Sequence, residues 1–214
     1  MTQLVINEIF HSIQGESTHS GRPCVFVRLT YCNLRCTYCD TVYAFHEGAS
    51  QTVDEILQRI KSYGTKLVEI TGGEPLFQEG VHDLMNLLCN EGYEVLLETG
   101  GSLDISRVDP RVKRIMDIKC PSSGMLKKNL YSNIHHLRPS DEVKFVVGTR
   151  EDFDWCVGII NQYAILERCT VLMSPVFEEL EPVTLADWIL EQRLNVRFQL
   201  QLHKYIWEPE TRGV

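Results

Sequence analysis

Leu67-Val-Glu-Ile70, then Thr71-Gly-Gly-Glu-Pro75, then apolar residues at 81, 84, 87 and 88 make one unit of strand, glycine turn and helix. Gly92 ends the helix, because glycine accepts the backbone angles that close a helical C-terminus. The same unit recurs on either side. Upstream, Cys24-Val-Phe-Val-Arg-Leu29 is rich in β-formers and apolar almost throughout, as in a strand covered on both faces. Thr52-Val-Asp-Glu55 is a capping box, and Val53, Ile56, Leu57 and Ile60 then give one apolar helical face. Downstream, strands are predicted over 93–97, 114–118, 143–147, 170–173 and 196–200. Helices are predicted near 151–163 and 182–193.

Strands separated by helices predict an α/β fold with a parallel sheet. The 214 residues are short for a full eight-unit barrel, which takes about 250. A single-domain partial (β/α) barrel over residues 1–214 is therefore expected. No repeat, linker or low-complexity tract divides the chain, and Cys120-Pro-Ser-Ser-Gly124 reads as a loop within the domain.

The formal net charge of −8 argues against non-specific nucleic-acid binding. No apolar run is long enough to span a membrane, and residues 1–10 lack a signal-peptide pattern. A cytoplasmic protein is expected, with Cys24, Cys89, Cys120, Cys156 and Cys169 as reduced, packed thiols. The methionines at 85, 116, 125 and 173 read as core filler. His135-His136 reads as a solvated helix end, since adjacent helical residues diverge.

Cys32-Asn-Leu-Arg-Cys36-Thr-Tyr-Cys39 stands apart from those thiols. Three thiolates this close can converge on one metal centre. A structural zinc site takes four protein ligands, for which Asp40 or His46 could be the fourth. A 4Fe–4S cluster held by three cysteines instead keeps one iron open to an outside ligand.

Chemistry in parallel βα folds gathers at the carboxyl ends of the strands. The cysteine loop, Thr71-Gly-Gly-Glu-Pro75, Glu98-Thr-Gly-Gly101 and Asp117-Ile-Lys119 all follow predicted strands. Glycine pairs after strands often only make turns, yet here they share one rim. Glycines let a ligand approach the backbone, and a glutamate can receive an ammonium or a ribose hydroxyl.

With Tyr38 before the last cysteine and Gly-Gly-Glu-Pro after the next strand, the chain resembles the radical S-adenosylmethionine (SAM) superfamily. The resemblance implies that Cys32, Cys36 and Cys39 hold a 4Fe–4S cluster whose open iron is chelated by SAM. It implies that Tyr38, Cys39, Asp40, Gly72, Gly73, Glu74, Glu98, Asp117 and Lys119 line the cofactor site. Reduction then cleaves SAM to a 5′-deoxyadenosyl radical, with a flavodoxin or ferredoxin-type protein as electron donor.

Ile13-Gln-Gly-Glu16, Phe26-Val-Arg28, Cys39-Asp-Thr41, Thr71-Gly-Gly73 and the tail Gln201-Leu-His-Lys-Tyr-Ile-Trp207 narrow the resemblance to the 7-carboxy-7-deazaguanine synthases. These are homodimeric lyases of queuosine and deazapurine biosynthesis. They turn 6-carboxy-5,6,7,8-tetrahydropterin into 7-carboxy-7-deazaguanine and ammonia, with Mg²⁺ beside the substrate carboxylate. The resemblance implies pterin contacts from Ile13, Gln14, Gly15, Glu16, Arg28, Thr71, Gln201 and His203, and Mg²⁺ on Thr41. Position 17 departs from the pattern, with Ser where relatives often have Gly, and so does the Arg-Gly-Val end.

The chemistry of these side chains agrees with such roles. A carboxylate such as Glu16 can accept two N–H bonds from a pterin edge, and Arg28 has the planar fork that matches a carboxylate. A strand-end salt bridge explains Arg28 equally well without the family. Gln201 and His203 are expected to alternate on the last strand and face the barrel mouth. Two rivals remain at this level. A glycyl-radical activating enzyme uses the same cluster on a protein substrate, and a zinc- or cluster-stabilised binding module leaves the glycine rim unexplained.

Overall fold

The strands line up in one sheet, and its two faces differ in kind. The computed structural model describes residues 2–214. Its chain runs through β1 (Gln3–Ile13), β2 (Pro23–Leu29), β3 (Ala49–Thr52), α1 (Val53–Ser62), β4 (Leu67–Gly72), α2 (Val81–Asn90) and β5 (Glu94–Thr99). It continues through β6 (Lys113–Asp117), β7 (Glu142–Val147), α3 (Arg150–Gln162), β8 (Thr170–Pro175), α4 (Pro182–Glu191), β9 (Arg197–Phe198) and α5 (His203–Ile206). The strand order is β3-β1-β2-β4-β5-β6-β7-β8-β9. From β2 to β9 every neighbour is parallel, while β1 pairs antiparallel with β2 and β3.

β1 and β3 escaped the sequence reading, which placed its first strand at 24–29. The signal in β1 was an alternation, with Leu4 and Ile6 buried between less buried neighbours. The Thr52 cap forms as expected, its hydroxyl accepting from Glu55 N and Glu55 returning a bond to Thr52 N.

Alternate residues of a strand face opposite ways. One set, including Val27, Leu29, Val68, Ile70, Leu97, Met116, Val143 and Phe145, packs with Ile56, Leu84, Leu88, Phe153 and Leu185 of the helices. The other set begins with a small cluster of Phe10, Cys24, Phe26, Leu67, Leu96 and Ile115. Beyond it the same inner face turns polar, with Arg28, Glu69, Thr71, Glu98, Asp117 and Lys144 lining a cavity.

The sheet curls around that cavity. In strand order six strands separate β1 from β9, yet the loop after β1 meets the chain beyond β9. Ser17 N donates to Gln199 Oε1 at 2.8 Å, and Leu202 N donates to the Gly15 carbonyl at 3.0 Å. An incomplete barrel with a crossing loop is the result. Ser17 adopts a φ of 63° there, in the left-handed region that costs an L-residue roughly 1–2 kcal/mol. A glycine would adopt that conformation without the cost.

The expected last strand is cut short. β9 pairs with β8 only at Leu172↔Arg197 and Met173↔Phe198. The bond from Leu202 to Gly15 then draws the chain across the barrel mouth. Gln201 therefore lies in a turn and His203 opens α5, so the two do not alternate on a strand. Met85, Met116 and Met173 are buried, but Met125 is not core. Its sulfur accepts from Arg35 N at 3.3 Å, on the cysteine loop. Among the described residues no helix is long and apolar enough to cross a membrane.

Candidate active site

The cavity is about 490 Å³ and opens at the carboxyl ends of the parallel strands. Its walls divide into a sulfur side and a carboxylate side. Cys32, Cys36 and Cys39 line the first, as free and half-buried thiols. Burial pushes the Cys32 and Cys36 thiols up, while Lys119 works against this at Cys36. Among the described residues, no three His, Cys, Asp or Glu side chains converge closely enough for one metal ion. A cluster does not require such convergence, because each thiolate takes a different iron.

The glycine rim packs against this loop. A Cβ at Gly73 would come within 2.9 Å of the Cys32 Cβ, so only glycine allows the two loops to touch. Glu74 N donates to the Tyr31 carbonyl at 2.8 Å, tying the rim to the residue before Cys32. The Glu74 carboxylate is fully buried, accepting from Gly100 N at 2.7 Å, Leu76 N at 3.1 Å and the Thr99 hydroxyl at 2.9 Å. That side chain holds two rim loops together, while Gly72 and Gly73 line the cavity. Tyr38 also lines it, with its hydroxyl donating to the Val146 carbonyl at 3.4 Å.

Lys119 and Asp117 stand between the two sides, 2.8 Å apart. Burial opposes the Lys119 charge, but Asp117 and Cys36 outweigh it and hold its pKa above the usual lysine range. Asp117 Oδ1 is buried with no hydrogen-bond partner among the described residues.

The carboxylate side centres on Lys144, in the middle of β7. Its Nζ lies 2.9 Å from Glu16 Oε2, and it also pairs with Glu98. Burial opposes the lysine charge, but Glu16, Glu98 and Asp117 prevail and hold its pKa well above the ordinary value. Burial likewise pushes Glu16 up, and Lys144, His203 and Gln201 together bring it below the usual carboxylate range. Gln201 donates to Glu16 Oε1 at 3.0 Å. Gln14 supports the same loop from below, its Oε1 accepting from Glu16 N at 2.9 Å and its Nε2 donating to Glu69. At Gly15 a Cβ would lie 2.5 Å from His203 Nδ1, so glycine here lets α5 close over the loop.

Arg28 lines the cavity beside Phe10 and Tyr43. Its Nε donates to Glu8 Oε1 at 2.8 Å, so the salt bridge read as an alternative is present on one edge of the guanidinium. Thr41 also lines the cavity, and the hydrogen-bond partner of its hydroxyl is Cys39 Sγ at 3.8 Å. Asp40 pairs with Lys204 at 2.9 Å, which fastens the tail to the cysteine loop. Arg212 does the same through Glu47 at 2.8 Å and over the Tyr43 ring.

Thus Ile13, Gln14, Gly15, Glu16, Arg28, Thr71, Gln201 and His203 share one cavity with Tyr38, Asp40, Thr41, Glu98, Asp117, Lys119 and the three cysteines. Sequence reading missed Glu69, Lys144 and Lys204. The signal for the first two was available, since a charged residue inside an otherwise apolar parallel strand must face something other than helices.

A model of the radical SAM superfamily matches residues 27–163. The chain is 50% identical to the 7-carboxy-7-deazaguanine synthase of Chlorobaculum tepidum, over 99% of this chain and 97% of that protein. It is 42% identical to the synthase of the same name from Koribacter versatilis, over 98% and 99%. The crystal structure of QueE from Escherichia coli superposes with a TM-score of 0.77 at 22% identity, covering 93% of this chain and 94% of that one.

Proposed function

We propose, from the premise that this chain belongs to the 7-carboxy-7-deazaguanine synthase family of the radical SAM superfamily, a division of labour within this cavity. The chain is a carbon–nitrogen lyase that converts 6-carboxy-5,6,7,8-tetrahydropterin to 7-carboxy-7-deazaguanine in queuosine biosynthesis. The family uses an iron–sulfur cluster and SAM, which supply the one-electron chemistry that removes a hydrogen atom from the substrate.

In our reading Cys32, Cys36 and Cys39 hold a 4Fe–4S cluster, and SAM lies between the glycine rim and Lys119. The orphaned Asp117 Oδ1 suits this, because a buried acceptor without a donor is costly and SAM brings an ammonium and ribose hydroxyls. Thr41 offers a hydroxyl held only by a long contact to Cys39 Sγ at 3.8 Å. Mg²⁺ keeps several waters, so one protein oxygen plus waters and a substrate carboxylate meets its needs. There it would orient the substrate and stabilise negative charge.

The observation that carries the substrate assignment is that Glu16, Arg28, Gln201 and His203 line the same cavity as the three cysteines. Glu16 accepts the pterin N–H edge, held in place by Gln14 and Lys144. Arg28 keeps its remaining guanidinium edge for the 6-carboxylate, while Glu8 fixes its rotamer. Ile13, Gly15 and Thr71 close the walls, and α5 with the tail excludes water.

A flavodoxin or ferredoxin-type protein is the proposed reductant, approaching over exposed Arg35, Lys127 and Lys128 beside the cysteine loop. A homodimer is proposed as well, and exposed Val183, Leu190, Tyr205 and Ile206 offer apolar surface for it. Reduced, reconstituted protein with SAM, Mg²⁺ and 6-carboxytetrahydropterin should yield the deazaguanine acid by mass spectrometry. Losing a buried charged partner costs about 2–5 kcal/mol, so Glu16→Ala and Arg28→Ala should each lower this yield by roughly 30-fold or more. No deazaguanine from protein that cleaves SAM well would sink the substrate assignment.

A further inference from the structure

Glu69 stands in the middle of β4 with its side chain on the cavity wall, and nothing in the reading above uses it. Its strand neighbours across the sheet are Phe26 and Leu96, so the carboxyl emerges between two apolar side chains. The residue is 3% exposed. One oxygen, Oε2, accepts from Gln14 Nε2. Among the described residues, none hydrogen-bonds the other, Oε1.

The charges in the cavity decide its state. Four of the acids that line the cavity stand around Lys144 and the floor beside Glu69: Glu16, Glu69, Glu98 and Asp117. Glu16 and Glu98 share Lys144, and Asp117 has Lys119. Among the described residues, Glu69 has no cation in salt-bridge contact. Behind it lies the uncharged Cys24 thiol, which burial pushes well up. A carboxylate in that position would face two others across an apolar floor, with no ammonium of its own to pair with. Burial and the charges of Glu98 and Glu16 accordingly raise the Glu69 pKa well above the ordinary value, against the smaller opposing pull of Lys144 and Gln14. Since Oε2 already accepts from an amide, the proton belongs on Oε1, the oxygen no protein group engages.

We propose that Glu69 is a catalytic residue of the pterin reaction, acting as the acid that delivers a proton to the departing amine. The inference rests on the substrate reading above. Substrate and product differ by one molecule of ammonia, so the sequence needs a proton on nitrogen and the loss of one from carbon. Glu69 Oε1–H protonates the amino nitrogen. The carbon–nitrogen bond breaks with its electron pair going to nitrogen, and ammonia leaves. A neighbouring ring nitrogen fills the carbon with its lone pair and becomes cationic. The Glu69 carboxylate, now stabilised by Gln14 N–H and the nearby Lys144 charge, removes the ring C–H proton. That bond's electrons neutralise the ring nitrogen and complete the aromatic five-membered ring. Glu69 ends neutral, as it began, and no oxidant or reductant is consumed.

Glu16, Glu98 and Asp117 are poorer candidates, because each is bound to an ammonium that stabilises its ionised form. The test follows two products of one turnover in reconstituted holoenzyme with SAM, Mg²⁺, dithionite and substrate deuterated at C6. Deuterium in 5′-deoxyadenosine reports hydrogen abstraction, and deazaguanine with ammonia reports the later proton transfers. Glu69→Gln keeps the shape and an acceptor for Gln14 but has no proton to give. Its yield of deazaguanine per deuterium transferred should fall about 100-fold, the size of a general-acid effect. Glu69→Asp, which keeps a carboxyl, should recover part of it. An unchanged ratio in Glu69→Gln overturns the assignment. So does a parallel loss of label transfer and product that Glu69→Asp fails to relieve, since that is the mark of a purely structural role. If wild-type protein transfers label but makes no deazaguanine, the substrate reading beneath the inference fails instead.

Discussion

Lys144 Nζ lies 2.9 Å from Glu16 Oε2, so the centre of β7 is ion-paired to the loop that follows β1. The pair fixes the carboxylate proposed to read the pterin at a point that no local sequence feature near residue 16 determines. Both side chains are largely shielded from water, and Glu98 shares the same ammonium. Removing one member of a buried pair leaves the other charge uncompensated, which costs about 3–5 kcal/mol. Lys144→Met should therefore lower urea-unfolding stability by an amount of that order. Adding Glu16→Gln should restore part of the loss, and strict additivity of the two substitutions would refute the coupling.

The sheet was legible because its outer face is written in apolar residues and its turns in glycine and proline. The cysteine loop was legible because metal ligands close in sequence need no long-range information. Lys144 and Glu69 were not picked out, as each lies in a mostly apolar strand and pairs with a distant residue, Glu16 at 128 positions and Gln14 at 55. The tail was misread for a related reason. Alternation at Gln201 and His203 looks like a strand, but a backbone bond from Leu202 to Gly15 ends the pairing, and that bond depends on the curl of the whole sheet. Arg28 was ambiguous in sequence and is ambiguous for a physical cause: its Nε serves Glu8 while its side chain lines the cavity.

The Mg²⁺ assignment turns on one oxygen. Thr41 has only a long contact to Cys39 Sγ at 3.8 Å, so its hydroxyl is available to a cation. Thr41→Ala should raise the Mg²⁺ concentration needed for half-maximal deazaguanine formation, while iron content stays intact. Thr41→Ser keeps the oxygen and should keep most of the activity. Identical Mg²⁺ titrations for wild type and Thr41→Ala would remove this residue from the site.

The protonation of Glu69 has a signature in stability that does not depend on catalysis. In the folded chain its pKa is raised, whereas unfolded it titrates near about 4.3. The folded state therefore holds a proton that the unfolded state releases, and stability contributed by this site falls as pH climbs above about 4.3 toward the folded value. Glu69→Gln lacks that penalty. Relative to wild type, Glu69→Gln should therefore grow steadily more stable to urea as pH climbs above about 4.3. A gap that stays constant with pH would mean that Glu69 ionises alike in both states.

Electron delivery should be sensitive to charge at one edge of the cavity. The loop 120–129 packs on the cysteine loop through Thr37 N to the Ser123 carbonyl at 3.1 Å and Arg35 N to Met125 Sδ at 3.3 Å. This leaves Arg35, Lys127 and Lys128 exposed beside the cysteines, with no carboxylate partner among the described residues and in a chain of net charge −8. An acidic one-electron carrier would be steered to that edge and repelled elsewhere, an effect carried mainly by the association rate. The double substitution Lys127→Glu, Lys128→Glu should lower turnover driven by reduced flavodoxin about tenfold at low salt. Turnover driven by dithionite, a small ion that needs no docking surface, should change little. Raising ionic strength should bring the two proteins together as screening shortens the reach of these charges. If flavodoxin drives both proteins equally well at low salt, the donor docks elsewhere.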